Sequence, residues 1–225
     1  MDKIVDYSDA DLTFYMPVFR DLEPARWALA HLRQHYNGRA IVASDGDFDP
    51  CWRSLESEFQ VELHYGVKNT AYWCRGLHVE KMMRLFLMRP TKWLIKLDTD
   101  AGIHRRFQYL PAGHQCGTVQ HSGDATSIQA GCVVLSREFC ERSLASGFLT
   151  APDFFESLIS WCPASLGTHW DGVPHIAEDW VLGYLGERLG MPPCEFKEIR
   201  STWRDYVPNP DRKFAVTHPC KAMRL

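Results

Sequence analysis

From Leu12 to Val18 the chain is almost wholly apolar, and this run reads as a first strand with Pro17 near its end. Pro24 suits the first turn of a helix. Ala25, Ala28, Leu29, Leu32 and Tyr36 then recur at helical spacing and draw one apolar stripe, which Asn37-Gly38 stops. Ala40-Ile41-Val42-Ala43 is a short buried strand running into the polar turn Ser44-Asp45-Gly46-Asp47. A short helix from Cys51 to Phe59 and a strand from Val61 to Tyr65 follow. Asn69 to Met88 reads as a longer helix with Leu77, Met82, Met83 and Phe86 on its buried side, closed by Pro90. Trp93-Leu94-Ile95-Lys96-Leu97 is the next strand.

The first hundred residues therefore alternate strand and helix, the pattern of a parallel sheet with right-handed crossovers. The remainder is less regular. Strands are expected at Cys116 to Gln120, Gln129 to Leu135, Cys194 to Ile199 and Lys213 to Thr217, and helices at Arg137 to Ala145, Pro152 to Trp161 and Ala177 to Leu189. The fold class is α/β: one domain over 1–225 with a mostly parallel mixed central sheet flanked by helices.

Composition narrows this picture only a little. With 225 residues and 45% hydrophobic content the chain can bury one sizeable core, and no low-complexity run marks a linker. A net charge of -3 argues against affinity built on blanketing phosphates, though a local basic patch stays open. None of the 8 cysteines forms a Cys-x-x-Cys pair, so reduced buried thiols are expected rather than a zinc ribbon. The acidic start Met1-Asp2-Lys3-Ile4-Val5-Asp6 lacks a secretion signal, and no run approaches the ~18 apolar residues of a membrane span. These features lead us to expect a cytoplasmic protein, bacterial or viral in a host cytosol.

Ligands of open α/β sheets bind where strands end at their carboxyl side, so acidic residues in those loops carry the most information. Asp-x-Asp occurs at Asp9/Asp11, Asp45/Asp47, Asp47/Asp49 and Asp98/Asp100. Asp98 ends a strong apolar strand, and alternation returns Asp100 to the same side. Two carboxylates there suit a hard divalent cation, Mn²⁺ or Mg²⁺, which completes its shell with water and phosphate oxygens. The plain alternative is two solvated acids in a surface turn. A calcium loop over Asp45, Asp47, Asp49 and Glu56 fails because Pro50 stands where the sharp turn needs glycine. Asp45, ending the second strand, is instead placed to face a ribose or base.

Several of these segments resemble one family. Trp93-Leu94-Ile95-Lys96-Leu97-Asp98-Thr99-Asp100 resembles the strand and Asp-x-Asp motif of GT-A glycosyltransferases. Gln129-Ala130-Gly131-Cys132-Val133-Val134-Leu135-Ser136-Arg137 is similar to the Gly-rich strand of fringe-like β-glycosyltransferases, and Glu178-Asp179-Trp180-Val181-Leu182-Gly183 to their Glu-Asp helix. Thr217-His218-Pro219 resembles the late histidine that completes the metal shell in many GT-A enzymes. Order and rough spacing agree over residues 12 to 220. The resemblance implies a Rossmann-like GT-A domain, with a nucleotide-binding half at 1–100 and an acceptor-binding half at 101–225. It further implies transfer from a nucleotide diphosphate sugar, UDP-linked by preference, to an acceptor hydroxyl. A glycan is the first choice of acceptor, with a nucleic acid left open.

On the same resemblance Asp98, Asp100 and His218 would ligate the metal, and Asp179 beside Glu178 would be the general base of an inverting displacement. Asp98 also lies beside the diphosphate. Arg20, Arg75 and Lys221 are cations placed to meet that diphosphate, with ordinary solvated surface cations as the alternative. Gly131 permits close backbone approach, to a sugar or to packing. Gly183 and Gly186 share a face with Asp179 and call for either close packing or a ligand. The helix dipole favours Glu178 and Asp179 in a first turn whatever their function. Trp73, Trp161, Trp170 and Trp203 could stack on sugars, Trp170 first among them. Gly102 and His104 depart from the family pattern, where a third acid and an aromatic are usual, and the chain is short for the fold. A nucleotidyltransferase is the enzymatic rival, but Pro17-Val18-Phe19-Arg20 stands where it would carry a Gly-rich basic loop. A nucleotide- or metal-binding module without turnover is the non-enzymatic one.

Overall fold

The computed structural model describes residues 4–18, 22–44, 50–65, 75–168, 174–202, 209 and 211–219. Its centre is a seven-stranded mixed sheet. In chain order the strands are β1 (Leu12–Val18), β2 (Arg39–Ser44), β3 (Glu62–Tyr65) and β4 (Trp93–Leu97). A short β5 (Gly102–Ile103) stands outside that sheet, which continues with β6 (Gln115–Ser122), β7 (Ala125–Ser136) and β8 (Cys194–Glu195). Across the sheet the order is β8-β6-β7-β4-β1-β2-β3. Only β7 runs against the others: it pairs antiparallel with β4 and β6, while β4-β1-β2-β3 and β8-β6 are parallel. A second, three-stranded sheet joins β9 (Ile199–Ser201), β10 (Val216–His218) and β5, with β10 in the middle.

Helices α1 (Leu22–His35), α2 (Arg53–Phe59), α3 (Arg75–Leu87), α4 (Arg137–Ala145), α5 (Phe154–Trp161) and α6 (Glu178–Leu189) cover both faces. Strand alternation divides the core between them. Leu12, Phe14, Met16, Ile95 and Leu97 pack with Ala25, Leu29 and Leu32 of α1 and Leu55 of α2. Tyr15, Ile41, Leu94, Val133 and Leu135 point the other way, onto Met82, Met83 and Phe86 of α3, Phe139 of α4, Leu158 of α5 and Val181 and Leu185 of α6. Period two along the strands and 3.6 along the helices make a sheet buried on both faces.

The expected elements recur with a few differences. The part of the expected long helix at 69–74 lies outside the described residues. Leu77, expected on the buried side of α3, is 41% exposed and lines an apolar recess of about 300 Å³ with Leu149, Phe154 and Val181. The single strand expected from Cys194 to Ile199 is two strands in two sheets. After β8 the Phe196 N–H still donates to Gly117 O (2.8 Å), but a turn at Lys197-Glu198 follows. The Glu198 carboxylate is buried there and accepts from Gln108 N–H (2.7 Å) and Arg105 Nη1 (3.2 Å), so the chain bends to satisfy it. β7 begins four residues earlier than its apolar run, at Ala125, because the polar Thr126 and Ser127 pair with β6 across a tight hairpin. The strand expected over Lys213 to Thr217 is shifted to β10.

Candidate metal centre

The site lies where β4, β7, β10 and α6 meet. All of β4 is buried, and the ladder continues past it: Asp98 N–H donates to Gly131 O on β7 (3.0 Å). Ala101 N–H donates to Asp98 O (3.0 Å), closing a turn that presents Asp98 and Asp100 from one short loop. The chain then enters β5, which pairs antiparallel with β10 through Ile103–Val216 and Gly102–Thr217. His104 N–H donates to Ala215 O (2.8 Å), and the His104 ring bonds Thr217 Oγ1 (2.8 Å). Thus Gly102 and His104, which depart from the family pattern, fasten β10 beside the aspartate loop and carry His218 to it.

His218 Nε2 stands 3.0 Å from Asp100 Oδ1 and 3.4 Å from Asp98 Oδ2, and one ligand atom from each residue lies within 4.8 Å of the others. Two ligands held about 2.1 Å from one ion at a right angle are about 3.0 Å apart. The 3.0 Å between His218 and Asp100 matches that spacing, and the 3.4 Å between His218 and Asp98 is wider. Two carboxylates with one imidazole suit a transition-metal ion such as Mn²⁺ better than an all-oxygen cage for Ca²⁺. The other ring nitrogen, Nδ1, is 3.0 Å from Ser201 Oγ on β9, which fixes the ring orientation and leaves Nε2 for the cluster.

The imidazole lies against the backbone of Gly131. A Cβ at that position would stand 2.0 Å from His218 Nδ1, so the missing side chain is the space the ring occupies. Burial works against a charge on His218, but the bond to Asp100 and the negative charges of Asp98 and Asp100 outweigh it and raise its pKa. Burial likewise opposes ionisation of Asp100, and His218 more than offsets it, so that carboxyl is held below its usual range.

Lys96 went unassigned in the sequence, absorbed into an apolar strand. It is 1% exposed, and Nζ donates to Asp98 Oδ1, to Ala130 O (2.6 Å) and to Glu178 Oε1 (2.7 Å). Its three protons therefore have three acceptors. The ammonium takes one oxygen of Asp98 and leaves Oδ2 turned to His218. Burial disfavours its charge, but Asp98 and Glu178 raise its pKa above the ordinary lysine value. Removing one partner from such a buried ionic network costs on the order of 3–5 kcal/mol, because the charge left behind has no counterpart.

Glu178 and Asp179 occupy the first turn of α6. Asp179 Oδ1 accepts from Ala130 N–H (3.3 Å) and Oδ2 from Gln120 Nε2 (3.2 Å). Gln120 is held in turn by Ser127 Oγ (2.8 Å) and by Gln129. Burial and the nearby Glu178 charge push the Asp179 carboxyl up to about 6, only partly opposed by Lys96 and the Ala130 N–H. The helix reaches this position because it sits directly on β7. A Cβ on Gly183 would meet Thr126 O at 2.6 Å, and one on Gly186 would meet Gln115 Nε2 at 1.8 Å and Met191 O at 2.8 Å. Close packing thus accounts for both helix glycines.

Asp98, Asp100 and His218 accordingly form one cluster, with Gly131 against the His218 ring, Glu178 joined to Asp98 through Lys96, and Asp179 on the Ala130 N–H beside them. Arg75 begins α3, but its side chain lies outside the described residues, as do Arg20, Asp45 and Lys221 entirely. Of the tryptophans singled out, Trp73, Trp170 and Trp203 also lie outside them. Trp161 packs edge-on against Trp180 and Tyr184 and donates to Glu187 Oε2 (2.6 Å), a fastening between α5 and α6. The residues that sequence reasoning missed are Lys96, Ser201, Gln120 and Gln129. For Lys96 a signal was present: a charge inside an otherwise apolar strand, two residues before Asp98 and so on the same side. Among the described residues no helix is long and apolar enough to cross a membrane.

No protein-family model matches the chain, and no curated protein matches it. Solved structures that it resembles include the mannosyltransferase PcManGT from Pyrobaculum calidifontis in complex with GDP-Man and Mn2+, at 12% identity and a TM-score of 0.44. That match takes in 59% of this chain and 46% of the mannosyltransferase, so it spans less than half of the latter's length. Another is a glycosyltransferase involved in the glycosylation of the major capsid of PBCV-1, at 12% identity and a TM-score of 0.49, over 95% of each chain. At these identities and scores neither likeness decides the chemistry, which rests on the side chains themselves.

Proposed function

We propose that this chain is a metal-dependent glycosyltransferase of GT-A type, moving a sugar from a nucleotide diphosphate donor to an acceptor hydroxyl. The observation that carries the reading is the convergence of Asp98, Asp100 and His218, with ligand atoms within 4.8 Å of one another at the carboxyl end of β4. The motifs that resemble this family stand far apart in sequence, and they meet at that one place. On this reading residues 1–100 supply the nucleotide half and 101–225 the acceptor half. UDP is the preferred nucleotide and a glycan the preferred acceptor, both on the sequence resemblance.

A Mn²⁺ or Mg²⁺ held by Asp98, Asp100 and His218 would offset the charge that gathers on the diphosphate as it leaves. The protein's own groups do the rest. Ser201 orients the His218 ring, and Lys96 fixes Asp98 with Oδ2 toward the cluster. Asp179 is the general base. Raised to about 6, it is ionised at neutral pH yet basic enough to take a proton. The acceptor O–H bond breaks with its proton passing to a carboxylate oxygen of Asp179. The acceptor oxygen bonds the anomeric carbon, and the bond from that carbon to the diphosphate oxygen breaks, its electron pair leaving with the nucleoside diphosphate. One such displacement inverts the anomeric centre. Gln120 and the Ala130 N–H hold the Asp179 carboxylate in place.

The test is nucleotide release from a panel of UDP- and GDP-sugars with Mn²⁺, with and without saccharide or oligonucleotide acceptors. Release from a nucleotide sugar that chelation stops and Asp100→Ala abolishes is the expected outcome. Nucleotide binding with no turnover on any donor and acceptor pair would overturn the enzyme reading and leave a binding module.

A further inference from the structure

The carboxylates of Asp98 and Asp100, past the carboxyl end of the interior strand β4, lie near those of Glu178 and Asp179 in the first turn of α6, and such a cluster repels itself. Among the described residues, the cations paired with Asp98 are Lys96 and His218. His218 is one of the proposed metal ligands, with Nε2 turned to Asp98 and Asp100 where the ion would sit. Among the described residues, the cation held wholly inside the protein at this place is Lys96, 1% exposed and with its three protons on three acceptors. Two of those acceptors are acids from different elements, Asp98 after β4 and Glu178 at the start of α6. The third, Ala130 O, belongs to β7 between them. The ammonium thus ties together the three elements that build the site.

We infer that Lys96 is an internal counter-cation, a positioning residue that keeps the acidic cluster assembled when no divalent ion is bound. The inference rests on the metal-centre reading above and deepens it. On that reading the acidic cluster would have to survive each departure of the ion with the nucleoside diphosphate. Two positive charges leave the cluster with it. An ammonium that cannot leave limits the repulsion among the acids and holds Asp98 Oδ2 turned for the next ion. A lysine serving only as sheet packing would have no dependence on the ion.

The measurement that separates these is the thermal melting of wild type and Lys96→Met, each without metal and in saturating Mn²⁺, together with a Mn²⁺ titration followed by the electron paramagnetic resonance of the free ion. Lys96→Met is expected to melt well below wild type without metal. It should recover most of that loss in Mn²⁺ and bind Mn²⁺ about tenfold or more tightly, because the ion supplies the missing charge. Lys96→Arg, which keeps the charge, should behave like wild type. Equal losses with and without Mn²⁺, or Mn²⁺ binding in Lys96→Met no tighter than in wild type, would overturn the inference while leaving the metal centre standing. Wild type that takes up no Mn²⁺ would overturn the metal centre and this inference with it. Should Lys96→Met fail to fold, Lys96→Met with Glu178→Gln, which removes one charge of each sign, decides. A Mn²⁺ affinity within about fivefold of wild type supports charge balance, and a larger shift contradicts it.

Discussion

At the scale of single residues, the site is a set of charges whose values depend on one another. Asp179 is the most informative, because its two forms differ in both chemistry and stability. Its folded pKa, about 6, lies above the ordinary carboxylate value, so the fold favours the protonated form. Its contribution to stability is therefore present in acid and is lost as pH rises through about 6. The metal-free Asp179→Asn protein should exceed wild type in stability by up to about 3 kcal/mol near pH 8, and that advantage should shrink toward pH 5. For catalysis the sign is reversed, since only the ionised carboxylate accepts a proton. The rate of sugar transfer should rise with pH through about 6, and Asp179→Asn should lose transfer at every pH. Melting curves at the two pH values check the first statement; a constant gap between them would contradict it. Asp98 and Asp100 were legible in the sequence because they end an apolar strand. Lys96 was not, since a strand is read from its apolar majority and a single charge inside it passes as noise. Alternation placed it on the side of Asp98 all the same.

At the scale of elements, helices were the most readable features. α4, running from Arg137 to Ala145, coincides with its expected bounds because Ser136 caps it, its hydroxyl accepting from Phe139 N–H (3.1 Å). The Cys194–Ile199 segment was misread as one strand because its composition does not reveal that Glu198 is buried and must bend the backbone to find donors. The two glycines of α6 were legible as a question, packing or ligand, and the structure answers it with contact against β7. Gly183→Ala tests that contact. In a free helix the alanine would gain about 1 kcal/mol. Here the new methyl would stand 2.6 Å from the Thr126 carbonyl oxygen, a backbone atom with little room to yield. Overpacking of this kind costs about 1–3 kcal/mol beyond any propensity gain. Urea unfolding should show Gly183→Ala less stable than wild type, with slower transfer because α6 carries Asp179 away from Ala130. A variant as stable as wild type would mean that α6 does not rest on β7 as described.

At the scale of the whole molecule, the fold was readable to the extent that local periodicity reports it: alternating strands and helices, then a mixed half. What local pattern could not report was the meeting of the chain's middle with its end. Nothing in Thr217-His218-Pro219 says where the imidazole points; that expectation came from resemblance alone. In the structure the return path is physical. β5 and β10 pair in the small sheet, His104 fastens Thr217, and the bare backbone of Gly131 leaves room for the ring. The proposed chemistry needs that convergence to hold one ion. Crystals soaked with Mn²⁺ and UDP, measured for anomalous scattering at the manganese edge, test it most directly. A single strong peak is expected about 2.1 Å from Asp98 Oδ2, Asp100 Oδ1 and His218 Nε2, with the diphosphate beside it. A peak elsewhere on the chain, or none between these three residues while UDP is bound, would contradict it.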